Sequence, residues 1–260
     1  MNQLPDFRDP VWFLVAAGIT YAIVMGRYFI IAGIFYLVFY KWQKEKWSAS
    51  KISPRNYPAG QFRQEIIRSN ISSIIFAFTG ALMLLGWQMG YIKVYLKGSD
   101  YAWWWIPLSG LLALFLQETY YYWLHRWMHI PSVYKLVHKW HHDSQIASPW
   151  TAFSFHPLEG LIQAAFLPLL LLVIPMHLYV LIGLLVIMSI SSVINHLDIE
   201  VYPKWFARHF LGKWLIGATH HSLHHKQYKY NFGLYFTCWD VIGKTESPYY
   251  GQLFEEKSPH

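Results

Sequence analysis

Eight histidines in three clusters have the type and spacing for metal chemistry: His125 and His129; His138, His141 and His142; His221, His224 and His225. Imidazole is the commonest protein ligand for borderline transition metals. On a helix, residues four or three apart share a face. HxxxH therefore directs two imidazoles one way, and each HxxHH reads as a convergent set of three. Eight histidines so spaced can hold more than one ion. A lone histidine is more often a core or surface residue, but a repeated ligand spacing is hard to obtain by accident. The first 124 residues contain no histidine, and thirteen of the fourteen lie between His125 and His225, so the two halves do different work.

The elements that must position these side chains are apolar. The chain is 55% hydrophobic, 19% aromatic and 13% charged, against about 25% charged in a soluble domain. This is a membrane composition. The formal charge of +7 is spread over polar loops between apolar runs. That pattern suits anionic headgroups and membrane orientation and argues against nucleic acid as a partner. The single cysteine, Cys238, excludes an intrachain disulfide. The N-terminal MNQLPDFRDP lacks a basic region and a small-residue cleavage site, so no cleaved signal peptide is expected.

A bilayer core of about 30 Å needs ~20 helical residues. Residues 11–40, 70–92 and 103–124 are the expected spans. The first contains Arg27, a costly residue at mid-membrane; it either faces inward or marks a break near Gly26, and the inward orientation is favoured. Loop 41–68 carries Lys41, Lys44, Lys46, Lys51, Arg55, Arg63 and Arg68 and is expected in the cytoplasm. Loop 93–101 is expected outside. The third run is bounded by Trp103-Trp104-Trp105 and Tyr120-Tyr121-Tyr122-Trp123, belts ~17 residues or roughly 26 Å apart. That crossing delivers His125 to the cytoplasmic surface, on a helix that stops before Pro131. Residues 158–174 and 177–196, separated by Pro175, read as a hairpin that returns the chain to the same side. The expected fold is an all-α integral membrane protein, a transmembrane helix bundle with a cytoplasmic, His-rich dimetal cap. Residues 1–124 form the spans and 125–260 the catalytic part, together one integrated domain.

The three histidine boxes resemble those of the sterol desaturase and fatty acid hydroxylase superfamily. So do Glu118-Thr-Tyr-Tyr-Tyr-Trp-Leu-His125-Arg, Phe155-His156-Pro157-Leu-Glu-Gly160, Asn231-Phe-Gly233 and Cys238-Trp239-Asp240. The second of these is closest to the sterol C-5 desaturase branch, and the likeness covers about 115–246. The resemblance implies two iron ions held almost wholly by histidine and the oxidation of lipid C–H bonds with dioxygen. Its ligand set carries over as His125, His129, His138, His141, His142, His221, His224 and His225, with His196 from Asn195-His196. Where fatty acid hydroxylases place a further histidine, Glu200 stands here. Glu200 is then a ligand, or one metal has fewer ligands, or water fills the place; His156 is the other candidate.

A metal-bound histidine usually donates its free N–H to a carboxylate or carbonyl. Glu118, seven residues before His125, shares the helical stripe of Tyr122 and His129 and is the first candidate for that role; Asp143 and Asp198 are weaker ones. His177, His209 and His260 are assigned no chemistry, and His220 only if the helical phase slips. Cys238 reads as a packed small residue and Asp240 as a turn anchor.

Unactivated C–H bonds need cofactor chemistry, and two irons can share the electrons that dioxygen cleavage requires. Zinc satisfies the same ligands and is a purification substitute. The chain lacks the His-Pro-Gly-Gly signature of a cytochrome b5 domain, so a separate electron donor, cytochrome b5-like or ferredoxin-like, is expected. Lys135, Lys139, Lys226 and Lys229 beside the boxes would steer an acidic one. The rival reading is a His-rich membrane metal-binding or transport protein without oxygenase activity, whose ligands would sit near the membrane midplane. A His-Glu-x-x-His metalloprotease motif is absent from the sequence.

Overall fold

The computed structural model describes residues 4–259; His260 lies outside them. Among the described residues the regular structure is helical apart from two short β segments. Helix α1 spans Pro10–Tyr36. Asp9 caps it, its side chain accepting from the Val11 N–H at 2.8 Å, with Pro10 in the first turn where its missing N–H costs nothing. It runs unbroken through Gly26 and continues as a π-helical turn over Leu37–Trp42. Arg27 is half-buried with no partner for its Nε. Helix α2, Gln61–Gln88, packs along α1. The two approach so closely at Gly80 that a Cβ there would stand 2.6 Å from Thr20 Cγ2.

Helix α2 starts nine residues before the expected span, so Arg63, Glu65 and Arg68 are helical rather than in the loop. The physical reason is that Glu65 is satisfied inside the protein. It accepts from Gln61, Ser144, Ser148 and Thr151 and pins the segment after the second histidine box to α2. Arg68 likewise donates to the Trp140 carbonyl at 2.6 Å and to Asp143 at 2.9 Å.

Strand β1, Val94–Tyr95, precedes α3, Trp105–Met128. Two short helices follow, α4 (Pro131–Val137) and α5 (Lys139–His142). The apolar hairpin is α6 (Pro157–Ala164), α7 (Phe166–Val173), β2 (Met176–His177) and α8 (Leu178–Asn195). Its tip is anchored to the 93–101 loop: β2 pairs in parallel with β1, and Trp105 Nε1 donates to the Pro175 carbonyl. Helices α3 and α8 therefore start at one end of the bundle and deliver His125 and His196 to the other. Helices α9 (Ala218–Gln227), α10 (Cys238–Ile242) and α11 (Tyr250–Lys257) close that end.

Among the described residues, three helices are long and apolar enough to cross a membrane: Pro10–Trp42, Gln61–Gln88 and Leu178–Asn195. The expected span at 103–124 is not among them. Helix α3 is long enough, but Gln117, Glu118 and the Tyr-rich end lower its hydropathy; these polar residues are buried inside the bundle. One core lies between α3, α7 and α8 (Ala113, Phe166, Leu171, Leu184), and a second joins α1 to α8 (Tyr28, Ala32, Phe153, Val193). The outward faces stay apolar at Ile23, Ile30, Leu82, Leu111 and Ile182, as lipid contact requires.

Candidate metal centre

Nine histidines meet at the closed end of the bundle, in two groups. His125, His129, His138, His142 and His224 form the first; His141, His196, His221 and His225 form the second. In each group one ligand atom per residue lies within 4.8 Å of all the others. Every residue in the carried-over ligand set is in one group or the other.

The boxes do not map one to a group, as convergent sets of three would. Each HxxHH box divides. His138 and His142, four apart, face the first group while His141 faces the second. His221 and His225, four apart, face the second while His224 faces the first. Helical geometry accounts for it. Two residues four apart overlie one another, and the residue between them is rotated by ~100° from its neighbour at 3.6 residues per turn. Each box thus serves both groups, and the groups abut: the His142 and His225 rings are 4.6 Å apart.

The hydrogen bonds set the tautomers. A carbonyl only accepts, so a ring nitrogen bonded to one carries the proton. His125 Nδ1 donates to the Phe232 carbonyl at 2.9 Å, His224 Nδ1 to that of Tyr230 at 2.7 Å, and His196 Nδ1 to that of Ser192 at 2.7 Å. His141 Nδ1 faces the Ser154 carbonyl at 3.4 Å. Their Nε2 atoms are then bare lone pairs, and each points at the Nε2 of another histidine. His196 Nε2 lies 3.1 Å from His141 Nε2, and His221 Nε2 lies 2.9 Å from His196 Nε2. In the first group, His125 and His138 Nε2 are 3.1 Å apart, and His224 and His142 Nε2 are 3.0 Å apart.

Protonation would relieve the repulsion, but burial opposes it. Burial holds His125 and His196 down to about 4, and His138, His141, His142, His221, His224 and His225 well below the ordinary imidazole value, with neighbouring imidazoles adding to the effect for most of them. In the His141–His196 and His125–His138 pairs, where both protons sit on Nδ1, two neutral acceptors converge without a donor, an arrangement that fits a cation. Two nitrogens at right angles on one ion, each about 2.1 Å from it, stand ~3.0 Å apart, as these do. The residues present therefore fit two metal ions.

The carboxylate that orients a histidine is Glu159, not Glu118. Glu159 is fully buried and takes the His138 Nδ1–H at 2.8 Å. It lies within His156-Pro157-Leu-Glu159, where Pro157 opens α6 and puts the acid in its first turn; that local signal was legible in the sequence. Glu118 hydrogen-bonds no histidine among the described residues. It accepts the backbone N–H groups of Leu234, Tyr235 and Phe236, at 2.6 Å for Tyr235, and so ties α3 to the closing segment whose Phe232 carbonyl holds His125. Asp240 anchors the same turn, accepting from Phe232 and Gly233 N–H at 2.8 Å each.

The remaining candidates stand apart from both groups. Glu200 accepts from Tyr202 and Thr219 N–H and satisfies the start of α9. His156 caps α6 and packs on Trp140. Asp143 pairs at the surface with Arg68 and Lys139, and Asp198 accepts from Ser53. His220 lies beside Asp240, its Nε2 at 3.5 Å. His177 caps α8, and His209 sits at an exposed turn. The spacing reading missed Tyr228. Its ring lies against His142 at 4.9 Å in a tilted contact and meets Tyr134 edge-on, from a backbone at φ 65°, where a bulky residue is uncommon.

The sequence signature described as fatty acid hydroxylase matches residues 110–245, which hold all nine histidines. Among named relatives, a Δ(7)-sterol 5(6)-desaturase of Gibberella zeae is 31% identical over 180 residues, 69% of this chain and 54% of its own length. A lathosterol oxidase of Mus musculus is 35% identical over 66% of this chain and 56% of its own length. The lathosterol oxidase of Homo sapiens is 31% identical over 76% of this chain and 67% of its own length. The chain thus spans little more than half the length of the first two relatives. No solved structure matches it. With its apolar helices and its nine histidines inside the matched region, the chain is a multi-pass membrane protein that belongs to the fatty acid hydroxylase family.

Proposed function

We propose that this protein is a membrane-bound non-haem di-iron oxidoreductase that hydroxylates or desaturates a C–H bond of a sterol-like or fatty acyl lipid. It would use dioxygen and electrons from a separate donor. The observation that carries the reading is the pair of histidine groups whose bare Nε2 atoms converge in a buried space. The family and the sterol-directed names of its relatives support a lipid substrate. Ligands at one end of the bundle, rather than at its middle, speak against transport.

His125, His129, His138, His142 and His224 would hold one iron, and His141, His196, His221 and His225 the other. Bound iron would supply the redox chemistry that an unactivated C–H bond requires. The chain's own residues do the positioning. Glu159 fixes the tautomer and ring plane of His138, and backbone carbonyls of residues 154, 192, 230 and 232 do the same for four others. Eight of the nine imidazoles are buried, which keeps bulk water from most of the pocket.

Cytoplasmic placement of the histidine end is part of the proposal. Its support is that the basic 41–60 loop sits at that end: Lys51 bridges to Ile199, and Ser53 bonds Asp198. Of the four lysines expected to steer a donor, Lys139 is paired with Asp143, whereas Lys229 is free at the surface beside Arg126. Arg126 and Lys229 would therefore contribute to an acidic donor's docking, together with exposed Lys135 and Lys226.

The test is product analysis under labelled dioxygen in membranes that carry the protein. A hydroxylase places label in the lipid; a desaturase yields an alkene and labelled water. Equal product without dioxygen would overturn the reading.

A further inference from the structure

The two histidine groups differ in their access to water. All four members of the second group are buried, whereas the first contains the one half-exposed histidine of the nine, His129. His129 lines a cavity of about 270 Å³ that opens to the surface between Arg126, Ile130, Tyr228, Lys229 and Phe232. Among the described residues, no member of the four-histidine group lines that mouth. His129 Nε2 has no hydrogen-bond partner in the protein.

Tyr228 forms the inner wall. It is the residue at which α9 ends, in the left-handed conformation that helices usually give to glycine. A phenol here works against its own backbone preference. The position puts its ring over His142 at 4.9 Å and against Tyr134 at 5.8 Å, and Tyr134 packs on His129 at 5.6 Å. The two phenols thus pack against His129 and His142 of the first group, and Tyr228 also lines the mouth.

We infer that the five-histidine position is the exchangeable one, reached through this mouth with Tyr228 as its door, while the four-histidine position is sealed. The inference rests on the dimetal reading. An ion in the first group can trade a ligand for water at His129 and leave through this mouth. An ion in the second group leaves only if the bundle end opens.

The experiment loads the full-length protein with zinc in detergent and follows its release to an excess of a chromophoric chelator. Wild type should release zinc in two phases of equal amplitude, with rates at least about tenfold apart. Tyr228→Gly suits the backbone at φ 65° and should speed the fast phase several-fold while leaving the slow one unchanged. Tyr228→Phe keeps the ring and should match wild type. His129→Ala should abolish the fast phase and retain the slow one. A single phase for both ions, or a slow phase that responds to Tyr228→Gly while the fast one does not, would overturn the inference. Binding of one ion or none would overturn the dimetal reading, and the inference with it.

Discussion

Replacing Glu159 should weaken one metal position and spare the other. Glu159 has no exposed surface; one oxygen takes the His138 N–H at 2.8 Å and the Gln163 amide at 3.0 Å, and the other has no protein partner. Loss of such a partner to a ligating histidine typically costs 10–100-fold in metal affinity, about 1.4–2.8 kcal/mol. Glu159→Gln keeps an acceptor and loses only the charge, so the expected cost is near the lower figure. Glu159→Ala strands a buried imidazole N–H, which adds ~1–3 kcal/mol and moves the loss to the upper figure or beyond. Competition against chelators of graded affinity resolves the two binding steps. The step belonging to the five-histidine group should weaken in the order wild type, Gln, Ala, while the other stays put. Asp143→Asn, which alters only surface ion pairs, should change neither. Unchanged binding in Glu159→Ala would refute the role assigned to this carboxylate.

Turnover at limiting protein donor should fall several-fold as ionic strength rises, because screening shortens to about 10 Å at 0.1 M, while turnover with a small chemical reductant should not. Lys229→Glu should reproduce the first effect at low salt. Topology is open to cysteine labelling in intact cells on a Cys238→Ser background: a membrane-impermeant reagent should modify a cysteine placed at exposed Ser99 and not one at exposed Ser48. The reverse pattern would place the histidines on the outer face.

The helical membrane architecture was legible because apolar runs are local signals, eight of the nine histidines because their spacing repeats, and His196 only through the resemblance. The division of each box was hidden. HxxHH reads as one set of three until the facing helix exists to take His141 or His224 separately. The start of α2 was misplaced because Arg63, Glu65 and Arg68 read as loop residues. Only the fold brings Ser144, Ser148 and Thr151 to Glu65 across about 80 residues of sequence. Glu159 takes the role expected of Glu118 for the same reason. Helical phase puts Glu118 on the histidine stripe, but the closing segment reaches it first and claims its oxygens for backbone N–H groups. The absence of the 103–124 run from the most apolar helices follows from polar residues turned inward, which hydropathy scores without knowing their direction.

The central claim is two ions on interleaved histidine boxes, and adjacent residues test it most directly. His141 and His142 are neighbours in sequence but belong to different groups. Metal content per chain after growth with ample iron should be about two in wild type, without a Soret band, and about one in each of His141→Ala and His142→Ala, because each removes a ligand of a different ion. The ion left in His142→Ala should be the slowly released one and that left in His141→Ala the rapidly released one. One ion or none in wild type, or the same ion lost from both variants, would contradict the account.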